Sequence, residues 1–424
     1  MNSLRIAMLG TRGVPAAYGG FETAVEEIGQ RLAARGHDVT VYCRQSKGDE
    51  PRDHYLGMDL VHLPSVRSKA IETLSHTALS VGHLSTIEKQ DVAFLFNAAN
   101  APFLPALRLQ RIPTAVHVDG LEWKRGKWGK NGRRYYRWAE QFSVHHADAL
   151  ISDAQGIADY YTHEFNIPTE LITYGAPILN ETPTNRLHDL GLAAGGFHLV
   201  VARFEPENHV DVIVDGYRRS NAELPLVVVG SAPYAAAHTT EIERLAAGDP
   251  RIHLVGGIFD QELLDQLYAH AYTYIHGHSV GGTNPSLLRA MGAGTAVIAY
   301  DVVFNRDVLG TDGLFFRDAA ALAQRVDKSE SEPRATAKAA ALLQDRANER
   351  YNWDAVTDGY EELAQRLNSG YSTRGLGRRN RNSIAWEPSP TLAPAELAPA
   401  ELAPAGLAAN DVEPAPLRNL KRAS

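Results

Sequence analysis

The chain has 424 residues but only one cysteine, Cys43, which excludes an intrachain disulfide framework. No Cys/His spacing typical of a structural zinc site is present either. Because Cys43 stands among the apolar residues of a predicted strand, we interpret it as a core residue. The low cysteine content therefore points to a fold held by packing alone.

Long apolar runs are also absent, since no stretch approaches the roughly 18 apolar residues that a membrane span needs. The opening LRIAMLG lacks the basic start, apolar stretch and cleavage site of a signal peptide. We expect a soluble, cytoplasmic protein that could also work at the inner face of the membrane. The net charge of −8 argues against nucleic-acid binding by the chain as a whole.

What the sequence does contain is a repeated alternation of short β-branched runs with amphipathic stretches. In the first part it predicts strands at residues 5–9, 39–42, 93–96, 114–118 and 149–152, and helices at 21–35, 135–146 and 157–165. A second series has strands near residues 199–202, 226–230, 252–256, 272–277 and 296–300, and helices after residues 210, 239, 260 and 284. This order predicts an α/β fold of two Rossmann-like, doubly wound domains with parallel sheets.

Composition sets the predicted boundaries. The first domain is expected at residues 1–174 and the second at 175–350, because TYGAP at 173–177 interrupts regular structure. An amphipathic helix at 351–368 closes the folded part. Residues 369–424 are rich in Gly, Arg, Pro and Ala and contain LAPAE repeats, which predicts a disordered tail.

Ligands of open parallel sheets bind beyond the carboxyl ends of the strands, where helix N-termini offer free N–H groups. The loop GTRGVPAAYGGFET at residues 10–23 is one such place, and Gly19 and Gly20 would let the backbone approach a diphosphate. The spacing is not that of the GxGxxG dinucleotide motif. A purely structural turn is the alternative.

The segment HGHSVGGTNPSLLRAMGAG at residues 276–294 is a second candidate phosphate or sugar site at a helix N-terminus. We assign the following residues to donor binding: His278, Gly281, Gly282, Thr283, Asn284 and Ser286. The alternative is that Thr283 or Asn284 only caps the helix.

VARFEPENHV at residues 201–210 follows the first strand of the second domain. Its Arg203 can pair with phosphate oxygens, and we place Glu207 and Asn208 in the same site. The alternative for Arg203 is an ordinary surface arginine.

The segment VHVDGLEWKRGKWGKNGRRYYRWAE at residues 116–140 begins with His117 and Asp119 at a strand end. Basic and aromatic residues alternate after them, a pattern that suits an anionic membrane surface or a lipid-diphosphate acceptor. We assign this contact to Trp123, Lys124, Arg125, Lys127 and Trp128. Single-stranded nucleic acid would suit the same pattern but not the acidic chain around it, and a solvated basic helix is a further alternative.

These motifs, together with YNWDAVTDGYEEL near the end of the folded part, resemble family four of the retaining glycosyltransferases, which have the GT-B fold. The likeness runs over about residues 4 to 368 and is greatest to the branch with bacterial rhamnosyltransferases of capsule and cell-wall assembly. It implies that Gly19 and Gly20 meet the donor diphosphate from one side and Arg203 from the other. It also implies retention of configuration.

The chain departs from the family pattern in two places. Relatives commonly have a lysine shortly after the arginine that corresponds to Arg203, but here the run is Glu207-Asn208. Many relatives have paired glutamates, eight positions apart, where this chain has Gly281 and Arg289. The second glutamate usually accepts hydrogen bonds from ribose hydroxyls, and arginine has no acceptor to offer. A dTDP-sugar would lose less from this change than a UDP-sugar, and Arg289 could pair with a phosphate instead. Weak or lost activity is the alternative.

The expected activity is transfer of a sugar, preferably L-rhamnose from dTDP-rhamnose, to a lipid-linked or polysaccharide acceptor, with no metal and no cofactor besides the nucleotide sugar. Asp119 is the candidate that orients or deprotonates the acceptor hydroxyl, with His117 or His278 as substitutes. His117 is equally readable as a core histidine. Two rivals remain: an epimerase of nucleotide sugars and a non-catalytic homologue that only binds one.

Overall fold

The computed structural model describes residues 3–16, 19–45, 52–66, 68, 71–118, 121–126, 128–231 and 236–376. Asp119, Lys127 and residues 377–424 of the predicted tail lie outside the described residues.

Among the described residues, the first sheet has eight strands, and only the two strands at one edge pair antiparallel. In chain order the strands are β1 (Arg5–Leu9), β2 (Asp38–Arg44), β3 (His54–Tyr55), β4 (Met58–Leu63), β5 (Val92–Phe96), β6 (Thr114–Val118), β7 (Ala149–Ser152) and β8 (Glu170–Leu171). Their spatial order is β3-β4-β2-β1-β5-β6-β7-β8, with β3 antiparallel to β4. Ile6 of β1 faces Val39 of β2 and Val92 of β5 in register.

Helices cover both faces of this sheet. Successive side chains of a buried strand point to opposite faces, so each strand contributes to the apolar core on both sides. Ile6 and Met8 of β1 enter one apolar cluster, whereas Ala7 and Leu9 enter another. The helices of this domain are α1 (Gly20–Ala34), α2 (Glu72–Leu84), α3 (Leu104–Leu109), α4 (Lys130–His146) and α5 (Gln155–Phe165).

The second sheet is parallel throughout. Its strands are β9 (His198–Val201), β10 (Leu226–Val229), β11 (Ile252–Gly256), β12 (Thr273–His276), β13 (Ala296–Tyr300) and β14 (Leu314–Phe316), in the order β11-β10-β9-β12-β13-β14. The helices that the structure describes around it are α6 (Val210–Arg218), α7 (Ala236–Ala246), α8 (Gln261–His270), α9 (Pro285–Gly292), α10 (Val303–Leu309), α11 (Ala319–Ser331) and α12 (Pro333–Arg350). The predicted pair of Rossmann-like, doubly wound domains is confirmed. The helix expected after residue 239 begins earlier, at Ala236.

The last helix, α13 (Trp353–Asn368), returns to the first domain. The Asn352 side chain caps it by accepting a hydrogen bond from the Asp354 backbone N–H at 2.7 Å. Tyr360 packs edge-on against Phe94 of β5, with 5.0 Å between the ring centroids. Glu361 forms an ion pair with Arg35 at 2.7 Å. The predicted closing helix is therefore present, and it fastens the end of the second domain to the first.

The segment that follows α13 corrects the predicted tail. Tyr371 donates a hydrogen bond to Glu170 at 2.7 Å, and Arg374 lies 3.1 Å from the Asp148 carboxylate. The prediction of disorder from residue 369 is therefore wrong for residues 369–376, because these side chains find carboxylate partners on the first domain. The predicted domain join at residues 174 and 175 lies between β8 and β9.

Within the described ranges, no helix is both long enough and apolar enough to cross a bilayer.

Candidate active site

The loops at the carboxyl ends of the strands meet in the cleft between the two domains. A Cβ atom added to Gly20, at the start of α1, would lie 2.9 Å from Cγ of Pro285 at the start of α9. A Cβ atom on Gly126 would lie 3.3 Å from Oε2 of Glu207 in the second domain. Motifs that are far apart in the sequence thus face one another across the cleft.

The loop between β12 and α9 presents the N-terminus of α9 to this cleft. Asn284 caps the helix, since its side chain accepts a hydrogen bond from the Ser286 N–H at 3.0 Å. Pro285 occupies the first helical turn, where its missing N–H costs nothing. Gly281 has φ +128, a conformation that L-residues with side chains rarely adopt. Asn284 therefore caps α9, which does not exclude ligand binding by the same loop.

Thr283 has a different role, because it joins the two domains. Its hydroxyl donates to the Asp153 carbonyl at 2.6 Å, and both residues are 4% exposed. A Cβ atom on Gly282 would lie only 1.9 Å from Oδ1 of Asp153. Sequence reasoning did not single out Asp153. The available signal was its position directly after the predicted strand 149–152.

The glycine pair at the start of α1 also has a structural reason. Gly19 has φ +121, and a Cβ atom there would meet the Glu22 carboxylate at 2.3 Å. The Glu22 side chain in turn accepts a hydrogen bond from the Arg12 N–H at 3.0 Å. This turn therefore needs glycine for its own conformation, whether or not a diphosphate approaches it.

Arg203 follows β9 and lies half-buried at the cleft. Its guanidinium is 3.4 Å from Glu205, and its carbonyl accepts a hydrogen bond from the Asn208 amide at 2.8 Å. The Glu207 carbonyl accepts a hydrogen bond from the Ser279 N–H at 3.0 Å, and Glu207 and Asn208 are both buried. The bond from Ser279 to Glu207 therefore links the loop after β9 to the loop after β12, and the Asn208 bond stabilises the loop after β9.

Two stacked histidines lie where these loops meet. The rings of His276 and His278 are 4.4 Å apart and nearly parallel. Burial lowers the pKa of His276 to about 3. Burial also lowers the pKa of His278 well below its ordinary value, with further contributions from His276, Arg203 and Arg125. Arg125 of the first domain and Arg203 of the second domain thus both help to lower the pKa of His278.

His117 lies in an aromatic enclosure. Its ring is 5.1 Å from the Phe21 ring, 5.6 Å from Phe96 and 5.7 Å from Tyr174. Burial lowers its pKa to about 3, and neither ring nitrogen has a hydrogen-bond partner among the described residues. At neutral pH such an imidazole is a weak base.

Arg289 is turned toward a carboxylate of its own domain. Its guanidinium donates a hydrogen bond to Asp265 of α8. The Asp265 carboxylate thus largely balances the positive charge of Arg289.

Of the basic and aromatic segment the structure describes residues 123–126 and 128, and Arg125 and Gly126 approach the second domain. Trp123 packs against the core of the first domain, and Trp128 donates to Glu122 at 3.0 Å. Arg125 pairs with Glu122 at 2.6 Å. A Cβ atom on Gly281 would lie 3.9 Å from the Arg125 guanidinium. Lys124 is exposed, with its amine 5.4 Å from the centroid of the Trp123 ring.

Comparison with known proteins agrees with this arrangement. Residues 197–329 match the family described as Glycosyl transferases group 1. Residues 4–177 match the family described as Domain of unknown function (DUF1972). No curated protein matches the sequence. The group 1 domain and the two-domain fold support a glycosyltransferase of the GT-B type.

Solved structures define the fold more closely. Sucrose-phosphate synthase from Thermosynechococcus elongatus is similar with a TM-score of 0.74 at 20% identity, covering 86% of this chain and 99% of that one. HepE from Anabaena, in complex with UDP-glucose, has a TM-score of 0.68 at 15% identity, covering 85% and 100%. A glycosyltransferase from Rickettsia africae has a TM-score of 0.66 at 13% identity, covering 87% and 100%. At these identities the likeness shows the fold, which is that of GT-B proteins.

Proposed function

We propose that the protein transfers a sugar from a nucleotide-diphosphate donor to a lipid-linked or polysaccharide acceptor, with L-rhamnose from dTDP-rhamnose as the preferred donor. The observation that carries this proposal is that the loops with Arg125 and Arg203 meet beside the N-terminus of α9: a Cβ atom on Gly281 would lie 3.9 Å from the Arg125 guanidinium, and the Ser279 N–H donates to the Glu207 carbonyl of the Arg203 loop at 3.0 Å. Two guanidinium groups suit a diphosphate, and the glycine-rich loop before α9 lets the backbone approach it. HepE, similar in fold, was solved with UDP-glucose.

In the proposed reaction the bond between the anomeric carbon and the donor phosphate oxygen breaks, and a bond from the acceptor oxygen forms. Negative charge develops on the departing diphosphate. Arg203, Arg125 and the start of α9 are fixed before the reaction, so they stabilise that charge without reorganising. Metal independence and retention of configuration are parts of the proposal.

The acceptor proton is the remaining requirement. Asp119 directly follows β6 and stays our candidate for orienting or deprotonating the acceptor hydroxyl, although it lies outside the described residues. His117 and His278 are less suitable, because a base works best when its pKa is near the working pH. The pKa values of both imidazoles are lowered far below neutrality.

The preference for a deoxyribose donor rests on Arg289. Arginine offers no acceptor to a ribose hydroxyl, and the Arg289 guanidinium pairs with Asp265 of its own domain. In this proposal the diphosphate therefore depends on Arg203, Arg125 and backbone amides.

A screen of donors tests the proposal. Purified protein without added metal would be heated with dTDP-rhamnose, UDP-glucose, UDP-GlcNAc or GDP-mannose, and release of the nucleotide diphosphate would be followed. Because a ligand that binds only the folded state stabilises it, we expect dTDP-rhamnose to raise Tm by a few degrees and to be slowly hydrolysed.

Variants make the screen specific to the site. Arg203→Ala should abolish the donor-induced shift, whereas Arg334→Ala, which removes an exposed arginine from α12, should leave it intact. No stabilisation of the folded wild type by any of the four donors would contradict the site. Binding without turnover, even with acceptor lipid present, would instead favour the non-catalytic homologue, the alternative that Arg289 suggests.

A further inference from the structure

One face of α4 stands apart from the rest of this acidic protein. Positions with exposed side chains repeat at helical spacing along it: Lys130, Arg134, Arg137, Trp138, Gln141 and His145. The structure describes α4 throughout, and no acid lies on this face. Its only carboxylate, Glu140, is buried on the opposite side, where Tyr160 donates to it. The face is therefore cationic in a chain of net charge −8.

Aromatic rings line one edge of that face. Trp138, 47% exposed, lies 5.0 Å from the Phe142 ring, and Phe142 lies 4.0 Å from His146. An exposed tryptophan beside cations is typical of residues at the membrane–water interface. Trp138, Phe142 and His146 thus form a row of aromatic rings along the border of the exposed face of α4.

The same border continues into a groove on α3. The groove has a volume of about 620 Å³ and is lined by Leu104, Pro105, Arg108, Leu109, Arg111 and His146. Leu109 is 85% exposed, the most exposed of the large hydrophobic side chains described. Burial and the charges of His145, Arg108 and Arg374 lower the pKa of His146, in keeping with a positive local field. His146 belongs to both the row of aromatic rings and the groove, so the two form one surface.

We propose that this surface, formed by the exposed face of α4 and the α3 groove, docks the protein on an anionic lipid bilayer. Its cations would meet the headgroups while Trp138 and Leu109 enter the interface. The inference rests on the proposed function, which needs a lipid-linked acceptor. It also distinguishes the docking surface from Arg125, which approaches the second domain.

A vesicle-binding experiment on the full chain tests this. Vesicles of equal parts phosphatidylglycerol and phosphatidylcholine would be compared with phosphatidylcholine alone in a sedimentation assay. We expect binding only to the anionic vesicles, and weaker binding as salt is raised. The double variant Lys130→Gln/Arg134→Gln should bind about thirtyfold more weakly, since each cation near a charged surface contributes to attraction. Trp138→Ala should weaken binding as well.

The chain supplies a matched control. Arg334→Gln/Lys338→Gln removes two exposed cations with the same spacing near the start of α12, so it changes net charge equally. It should bind like wild type. Loss of two cations from the first turns of α4 does not oppose the helix dipole, so the test variant should remain folded, which Tm would verify.

Three results would overturn the inference: no preference for anionic vesicles, equal loss in the test and control variants, or binding of a single-stranded oligonucleotide without vesicle binding. Failure of the proposed function is distinguishable. A protein that binds vesicles but neither binds nor consumes any donor supports the docking surface and contradicts the transferase. Donor hydrolysis without vesicle binding does the reverse.

Discussion

The His117 side chain of β6 is 2% exposed. Four aromatic side chains surround it, including Tyr360, which α13 brings back from the end of the folded chain. The resulting burial lowers its pKa to about 3.

This burial predicts an acid-sensitive stability. Histidine in an unfolded chain has a pKa near 6.5, so below that pH the unfolded state of His117 binds a proton that the folded state does not. The free energy of unfolding therefore falls as the pH drops. Between pH 7 and pH 5 the wild type should lose about 2 kcal/mol more than His117→Phe, measured by urea unfolding.

The control for this prediction is His163→Phe, which replaces an exposed histidine of α5. It should follow the wild type at both pH values. An identical acid dependence in wild type and His117→Phe would show that the imbalance in proton binding lies elsewhere.

Among the elements, α13 joins the two domains most directly. Trp353 at its start is 7% exposed, and a Cβ atom on Gly175 would lie 2.2 Å from its ring, so glycine is needed at that contact. Tyr360 and Glu361, further along the helix, contact β5 and Arg35 of the first domain. The helix is therefore a structural link and not a surface appendage.

Trp353→Ala should be strongly destabilising, because it leaves a large cavity at this link. The expected loss in the free energy of unfolding is about 3–5 kcal/mol. Trp138→Ala removes the same side chain from an exposed site and should cost less than about 1 kcal/mol. Equal urea midpoints for the two variants would contradict a structural role for the start of α13.

Elements were predicted unevenly. β1, β6, β7, β11 and β13 lie within the predicted bounds, because each is a short and mainly apolar run. By contrast, β4 and α2 were missed. The buried face of α2 carries His76, Thr77 and Ser80, so its pattern looks polar although the helix is packed. Hydrogen bonds accompany the burial of two of them: Nε2 of His76 lies 3.0 Å from the Cys43 carbonyl, and the Ser80 hydroxyl donates to the His76 carbonyl at 2.9 Å.

For the whole molecule, the closeness of the domains depends on a few small residues. The Thr283–Asp153 hydrogen bond and the tight contact at Gly282 join the second domain to the end of β7. A methyl group at Gly282 has no room while the Asp153 carboxylate is in place.

Gly282→Ala should therefore part the domains at this point and weaken donor binding about tenfold or more, seen as a smaller donor-induced rise in Tm. Adding Asp153→Ala makes room for the methyl group and should restore much of the loss, so the two changes should be non-additive. Gly129→Ala, where an added Cβ meets nothing within 4 Å, is the control. A double variant worse than Gly282→Ala would contradict this account.

The sequence by itself determined the α/β class, the two series of strands and helices, and the loops that carry the candidate donor residues. These are local properties, since side-chain periodicity and glycine or proline positions act over a few neighbours. Only the tertiary structure decided that Asp153 meets Thr283, that Arg289 pairs with Asp265, and that Arg125 approaches the second domain while one face of α4 stays exposed. Such contacts join residues distant in sequence, and burial, which sets the pKa values of His117 and His278, arises from all of them together.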